Sequence, residues 1–295
     1  MAFPITGSTA TVTSVTAGTD VKFLFDVLKI NEVAINTEAD EFDISELSGS
    51  GAAVERLSGL RSGTMTFSGF YPKAAPKIGN TGLLQYGSPA VTVGFVQDWT
   101  MDIDFGEIDI TSFNATAPTV KKFMPSGLFT WGGTFNVHML NEDNDLGSAS
   151  GDAVTLPTAA GSTGTAAIFQ IFTGATNAHT LSGNVLLRSL GHSIRKADKQ
   201  VLAYAYSGSG GVTEQQGDAY DPLRIDPASI APGGSAAWTG PSWTDNTSPS
   251  IVVTAYSGRT YTIKAFLKSL SISVSPGNPI AINGSLRIFD TITTA

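Results

Sequence analysis

Residues Trp99–Thr111 alternate strictly and then change phase. Trp99, Met101, Ile103 and Phe105 are apolar, and Thr100, Asp102 and Asp104 between them are polar. A period of two gives a strand one apolar and one polar face, so the segment reads as half-buried β-structure. After Gly106 the apolar positions become Ile108 and Ile110, with Glu107, Asp109 and Thr111 between them. A one-residue slip at a glycine is what a β-bulge produces. A loop with Pro118 and the basic pair Lys121-Lys122 follows, and the chain returns as a second strand through Phe123–Val137.

The unit has an earlier copy. Glu41-Phe42-Asp43-Ile44-Ser45 matches Glu107-Ile108-Asp109-Ile110-Thr111 in residue type at every position. Gly59-Leu60 matches Gly127-Leu128, and Thr66-Phe67 matches Thr134-Phe135 at the same offset. These matches predict an internal duplication. A second kind of repeat follows in the C-terminal half. Leu187-Arg188-Ser189-Leu190 resembles Leu267-Lys268-Ser269-Leu270, and Leu190, His192 and Ile194 then alternate as do Leu270, Ile272 and Val274. Leu270, Ile272 and Val274 are expected to face a core, with Ser269, Ser271 and Ser273 on the other side. The order is front half, front half, back half, back half. It fits one β module inserted into another, or an interleaved pair. The expected division is 1–95 as the front half of the first module and 96–210 as a second, inserted module. An extended loop, 211–250, and closing strands, 251–295, complete it.

Many short strands with Gly and Pro between them give an all-β class, a sandwich or barrel. Some segments are ambiguous. Val21–Ile35 could be helix or strand, and Asn80–Gln85 could form a short helix. Asn141–Asp145 reads as a solvated acidic turn, since a calcium loop would need a distal glutamate that is missing. Ser207–Pro249, rich in Gly and Pro, reads as an extended excursion pinned by Trp238 and Trp243. The N-terminus lacks the basic and apolar regions of a signal peptide, and no apolar run is long enough to span a bilayer.

Composition narrows the chemistry. The net charge is -8 with only 14% charged residues and no lysine or arginine run, which argues against tight binding to nucleic-acid phosphates. There are no cysteines, so disulfides, thiolate metal sites and cysteine nucleophiles are excluded. Of the three histidines, His138 is expected on a strand, His179 in a Gly/Thr/Ala loop and His192 on the back-half repeat, and none shows metal-ligand spacing. No nucleophile elbow or P-loop occurs. Asp102 and Asp104 share a strand face at roughly 6.5–7 Å along the strand, which approaches the spacing of an inverting glycosidase pair. No sugar-binding aromatic accompanies them, and the alternation is that of any solvated strand face. No catalytic residue, cofactor or metal site is expected.

The strand Glu107–Phe113, the segment Met124-Pro125-Ser126-Gly127-Leu128 with the strand through Phe135, and the closing stretch Phe266–Phe289 together resemble the tail tube proteins of long-tailed bacteriophages. The cysteine-free, acidic, Thr/Gly/Ala-rich composition is similar too. The resemblance implies β modules whose sheets join laterally into rings. The rings stack into a hollow virion tube, with other tail proteins as partners and DNA passing without tight binding. Most members place six one-module subunits in a ring, so a duplicated chain would need three. On this footing Asp43, Asp102, Asp104, Glu107 and Asp109 are expected on a solvated or channel-facing surface. The loops containing Ser48, Gly49, Ser50 and Gly51, and Asn114, Thr116, Pro118, Lys121 and Lys122, are expected to contact a neighbouring subunit or ring. Two other classes fit the composition. One is a different virion or surface protein, such as a head decoration, distal tail ring or adhesin. The other is a carbohydrate-binding module using Trp238, Trp243 and Tyr256.

Overall fold

The structure is a computed structural model that describes residues 11–15, 28–43, 56–72, 77–88, 90–93, 95–111, 121–139, 157–173, 176–193, 200–215, 235–237, 250–256, 259–288 and 292–295. In chain order the strands are β1 (Thr11–Val15), β2 (Lys29–Asp43), β3 (Arg56–Phe70), β4 (Leu83–Tyr86) and β5 (Val91–Thr92). Next come β6 (Val96–Asp109), β7 (Phe123–Met139), β8 (Thr165–Phe172), β9 (His179–Ser193) and β10 (Gln200–Gln215). The last are β11 (Ser235–Ala237), β12 (Ser250–Tyr256), β13 (Arg259–Val274), β14 (Ala281–Ile288) and β15 (Thr293–Thr294). All belong to one antiparallel sheet system, and no α-helix occurs among the described residues. The all-β class is therefore the observed one. The short helix expected at Asn80–Gln85 is instead a single 3₁₀ turn, Gly79–Thr81, followed by β4.

The main path through the sheet runs β2-β3-β14-β13-β6-β7-β10-β9-β8-β4-β5. One motif occurs in it twice. In β2-β3-β14-β13 a front hairpin pairs, through its second strand, with the last strand of a closing hairpin. β6-β7-β10-β9 repeats that connectivity. β8 precedes β9 as a hairpin partner in the way that β12 precedes β13. Since β6 to β10 lie in sequence between β3 and β12, the strand order is nested, not interleaved.

The ladder irregularities mark the same equivalence. The β2–β3 register breaks between Ile30 and Glu32 and between Ala39 and Glu41. The β6–β7 register breaks between Val96 and Asp98 and between Phe105 and Glu107. Laying Glu41 on Glu107 superposes both breaks. In the back halves Arg188 and Lys268 are each the extra residue of a break. Bulges re-aim every side chain beyond them, so six in three matching pairs keep the two faces in phase across both repeats.

The sheet closes on its apolar face. β6 and β8 are four steps apart along the path, a span of about 19 Å in a flat sheet. Yet the rings of Trp99 on β6 and Phe169 on β8 lie 5.4 Å apart, and Phe169 stacks on Tyr206 of β10 at 5.0 Å. The sheet must fold over for these rings to touch, which makes a sandwich-like core. Leu270, Ile272 and Val274 are buried in that core, as are Met101, Ile103 and Phe105, while the serines between the β13 residues are not. Past the second bulge, Ile108 and Ile110 carry the apolar phase beyond the core and are 47% and 41% exposed.

Two loop expectations are corrected. Ser207–Gly211 is strand interior, since β10 runs on to Gln215. A Cβ on Gly208 would fall against the indole of Trp131, and one on Gly183 of β9 would lie 2.6 Å from the same ring. The indole N–H donates to the Gly210 carbonyl at 2.9 Å. The glycines make room for a tryptophan over the sheet, and in sequence that composition looks like a loop. His179, expected in a loop, is the first residue of β9 and fully buried. Trp238, Trp243, Asn141–Asp145 and the side chain of Tyr256 lie outside the described residues.

Candidate functional site

The polar residues that alternate with the core gather on the opposite face of the sheet. Asp102 and Asp104 of β6, Ser269 and Ser271 of β13, Thr130 and Thr134 of β7, and Ser207 of β10 line a trough of about 1140 Å³. Register places them there. Asp104 and Asp102 stand opposite Ser269 and Ser271 on one side and Thr130 and Gly132 on the other. The trough therefore straddles the β13·β6 joint at which the two repeats meet.

Most of its polar side chains carry hydroxyls. Ser269 Oγ and Ser285 Oγ are 2.6 Å apart, and Thr100 Oγ1 and Thr134 Oγ1 are 3.1 Å apart. Tyr206 lies buried beneath and donates its phenol to the Thr100 carbonyl at 2.8 Å. Burial, and to a lesser degree the charge of Asp102, hold its pKa well above the usual phenol value, so it stays neutral. Asp102 and Asp104 are exposed carboxylates, and one cation, Arg188, lies at the β9 side with Nη1 3.4 Å from Ser207 Oγ. Two negative charges against one positive leave the trough acidic. No group of three or more His, Cys, Asp or Glu that could hold a metal occurs among the described residues.

Of the five carboxylates expected on one solvated face, Asp102 and Asp104 alone line the trough. Glu107 is ion-paired at its end. Arg287 Nε donates to Glu107 Oε2 at 2.9 Å, its Nη2 reaches Oε1, and Lys268 Nζ lies 3.4 Å from Oε1. The Arg287 guanidinium also stacks over Phe123 at 4.3 Å from the ring centroid. Asp109 is exposed, and the Thr111 hydroxyl, followed by the Thr111 N–H that it accepts at 2.8 Å, lowers its pKa. Asp43 ends β2 opposite Arg56, and its side chain lies outside the described residues.

The loop residues divide similarly. Ser48, Gly49, Ser50, Gly51, Asn114, Thr116 and Pro118 lie outside the described residues. Lys121 pairs with Asp40 of its own chain at 2.8 Å and donates its backbone N–H to the Arg61 carbonyl. Lys122 is exposed, and its backbone closes the hairpin against Ile110 and Thr111. The β6–β7 end thus reaches over the first repeat.

The hydrogen bond from Arg287, above all, lowers the pKa of Glu107 below the ordinary 4.5. A folded pKa below the unfolded one adds stability above the unfolded value, lost as pH falls through the folded one. The parent should therefore lose stability as pH falls from about 5. Glu107→Gln should lose less over that window. Urea midpoints measured against pH would show it, and parallel curves would mean that the pair does not form in solution.

A buried polar cluster lies apart from the trough. His179 Nε2 is 2.7 Å from Glu214 Oε1, Tyr71 Oη is 3.3 Å from His179 Nδ1, and all three side chains are fully buried. No local pattern pointed to it, because the partners come from the end of β3, β9 and β10. No protein-family model matches the chain, and no curated protein matches it as a relative.

Proposed function

We propose that this chain is a structural subunit of a phage tail tube, building rings that stack into a conduit for DNA. The carrying observation is the trough. It is a sheet face bearing hydroxyls and two carboxylates that crosses from one repeat to the other, opposite a closed core. Such a face suits the wall of a bore. Its hydroxyls offer water-like hydrogen bonding, and its one cation, Arg188, is outnumbered by Asp102 and Asp104. The two free carboxylates repel phosphates, whereas a cationic lining would hold the duplex at every ring. Three chains per ring would present six repeats.

In this role the chain works by assembly, with no catalytic step. Lateral pairing into a ring also covers long strand edges that would otherwise template uncontrolled association. The test is negative-stain microscopy of purified protein at increasing concentration. Rings and then tubes are expected. A protein that remains a monomer or a small compact oligomer throughout would favour a decoration or adhesin role instead.

A further inference from the structure

Resting on the tube reading, we propose which edges join neighbouring subunits and in what register: β2 of one copy pairs antiparallel with the C-terminal half of β9 of the next. The joint already exists once inside the chain. β13 pairs with β6 there, Ser269 opposite Asp104, Ser271 opposite Asp102 and Ser273 opposite Thr100. It links the back of the first repeat to the front of the second. The matching pair, the back of the second repeat and the front of the first, is left open. Among the described residues no strand pairs with the outer edge of β2, and on β9 the β8 ladder ends at Val185 and Thr158 bonds the backbone of Leu187, with no further backbone partner on that edge from Arg188 to Ser193.

The bulges fix the register. Superposing Glu41 on Glu107 and Arg188 on Lys268 puts Ser189 opposite Glu38, Gly191 opposite Asn36 and Ser193 opposite Ala34. The same superposition brings Arg188 of one copy to Glu41 of the next, as Lys268 meets Glu107 inside the chain. Burial is consistent with a missing neighbour. Met101, Ile103, Leu270 and Ile272 are at most 1% exposed in the internal joint. Their counterparts Thr37 and His192 are exposed, and Ile35 and Leu190 are only half-buried. Because β2 and β9 are different surfaces, the contact is head-to-tail and propagates until rotation closes a ring.

The absence of native cysteines makes a direct test possible. Asn36→Cys with Gly191→Cys places two thiols at one predicted pair. A Cβ at Gly191 meets nothing closer than Ala203 at 3.8 Å, so the substitution fits. Asp102→Cys with Ser271→Cys is the control, expected to form a disulfide within one chain. Asn36→Cys with Ser193→Cys is the off-register pair, a diagonal of about 7–8 Å that a disulfide cannot bridge. On mild oxidation of the assembled protein, N36C/G191C should give a ladder of chain multimers, reversed by reductant. The off-register pair should give about tenfold less. If rings form but N36C/G191C links no better than the off-register pair, this joint is wrong and the tube reading survives. If the protein sediments as a monomer at all concentrations, both are overturned.

Discussion

Glu214→Ala should destabilise the subunit by about 3–5 kcal/mol, because it breaks a buried pair and strands one partner. His179 Nε2 would lose its 2.7 Å contact in a place with no exposed surface, where water cannot replace it. The cluster also ties three segments together: the end of β3 through Tyr71, β9 through His179 and β10 through Glu214. Tyr71 and Phe172 pack their rings against the imidazole at 5.5 and 5.4 Å, so the site cannot simply open to solvent. Glu214→Gln keeps an acceptor in place and should lose less than half as much. Urea unfolding at low protein concentration, followed by tryptophan fluorescence, separates subunit stability from assembly. A loss below about 1 kcal/mol for Glu214→Ala would show that the carboxylate is not buried against the histidine.

The second large effect is on DNA retention. Asp102→Lys with Asp104→Lys should fold like the parent, since both side chains are exposed. It exchanges two negative for two positive charges in every subunit's trough. Stacked in a tube, these charges would line the whole bore. Charge-reversed tubes should retain duplex DNA at low salt and release it steeply as salt rises, because each neutralised phosphate steepens the salt dependence. Asp102→Asn with Asp104→Asn isolates charge from shape and should retain little. Should the lysine tubes hold no more DNA than the parent, the trough does not face the bore.

How much of this could be read from the residues depends on how local the cause is. The alternation of Trp99–Phe105 and the slip at Gly106 reflect neighbouring side chains on one strand, and the structure has both the strand and the bulge. The repeats could be matched because equivalent bulges require equivalent local chemistry, Glu41 with Glu107 and Arg188 with Lys268. Failures came where a distant residue decides. Ser207–Gly211 resembled a loop because the reason for its glycines, the ring of Trp131, lies on another strand. Glu107 looked solvated because its partner Arg287 is far along the chain. The His179–Glu214 pair joins residues whose only link is antiparallel pairing of β9 and β10. The trough followed from alternation on single strands, but its extent needed the strand order, which no single strand encodes.

The nested order also sets a timetable for synthesis. The inserted unit, β6 to β10, is contiguous and can complete its ladder once residue 215 has left the ribosome. The first hairpin can pair locally, but the second edge of β3 must wait for the last strands, since Thr66 of β3 pairs with Ser285 of β14. Closing so long a loop adds little free-energy cost beyond a shorter one, because that cost grows only with the logarithm of length. It does delay the contact, and non-local pairing slows folding. A nascent chain released early therefore has its β9 edge ready but lacks the completed β2–β3–β14 ladder that supports the opposite edge. If the proposed head-to-tail contact holds, a chain that lacks β13 and β14 would offer the β9 edge with the β2 edge less well supported, and would cap a growing assembly more readily than it extends one.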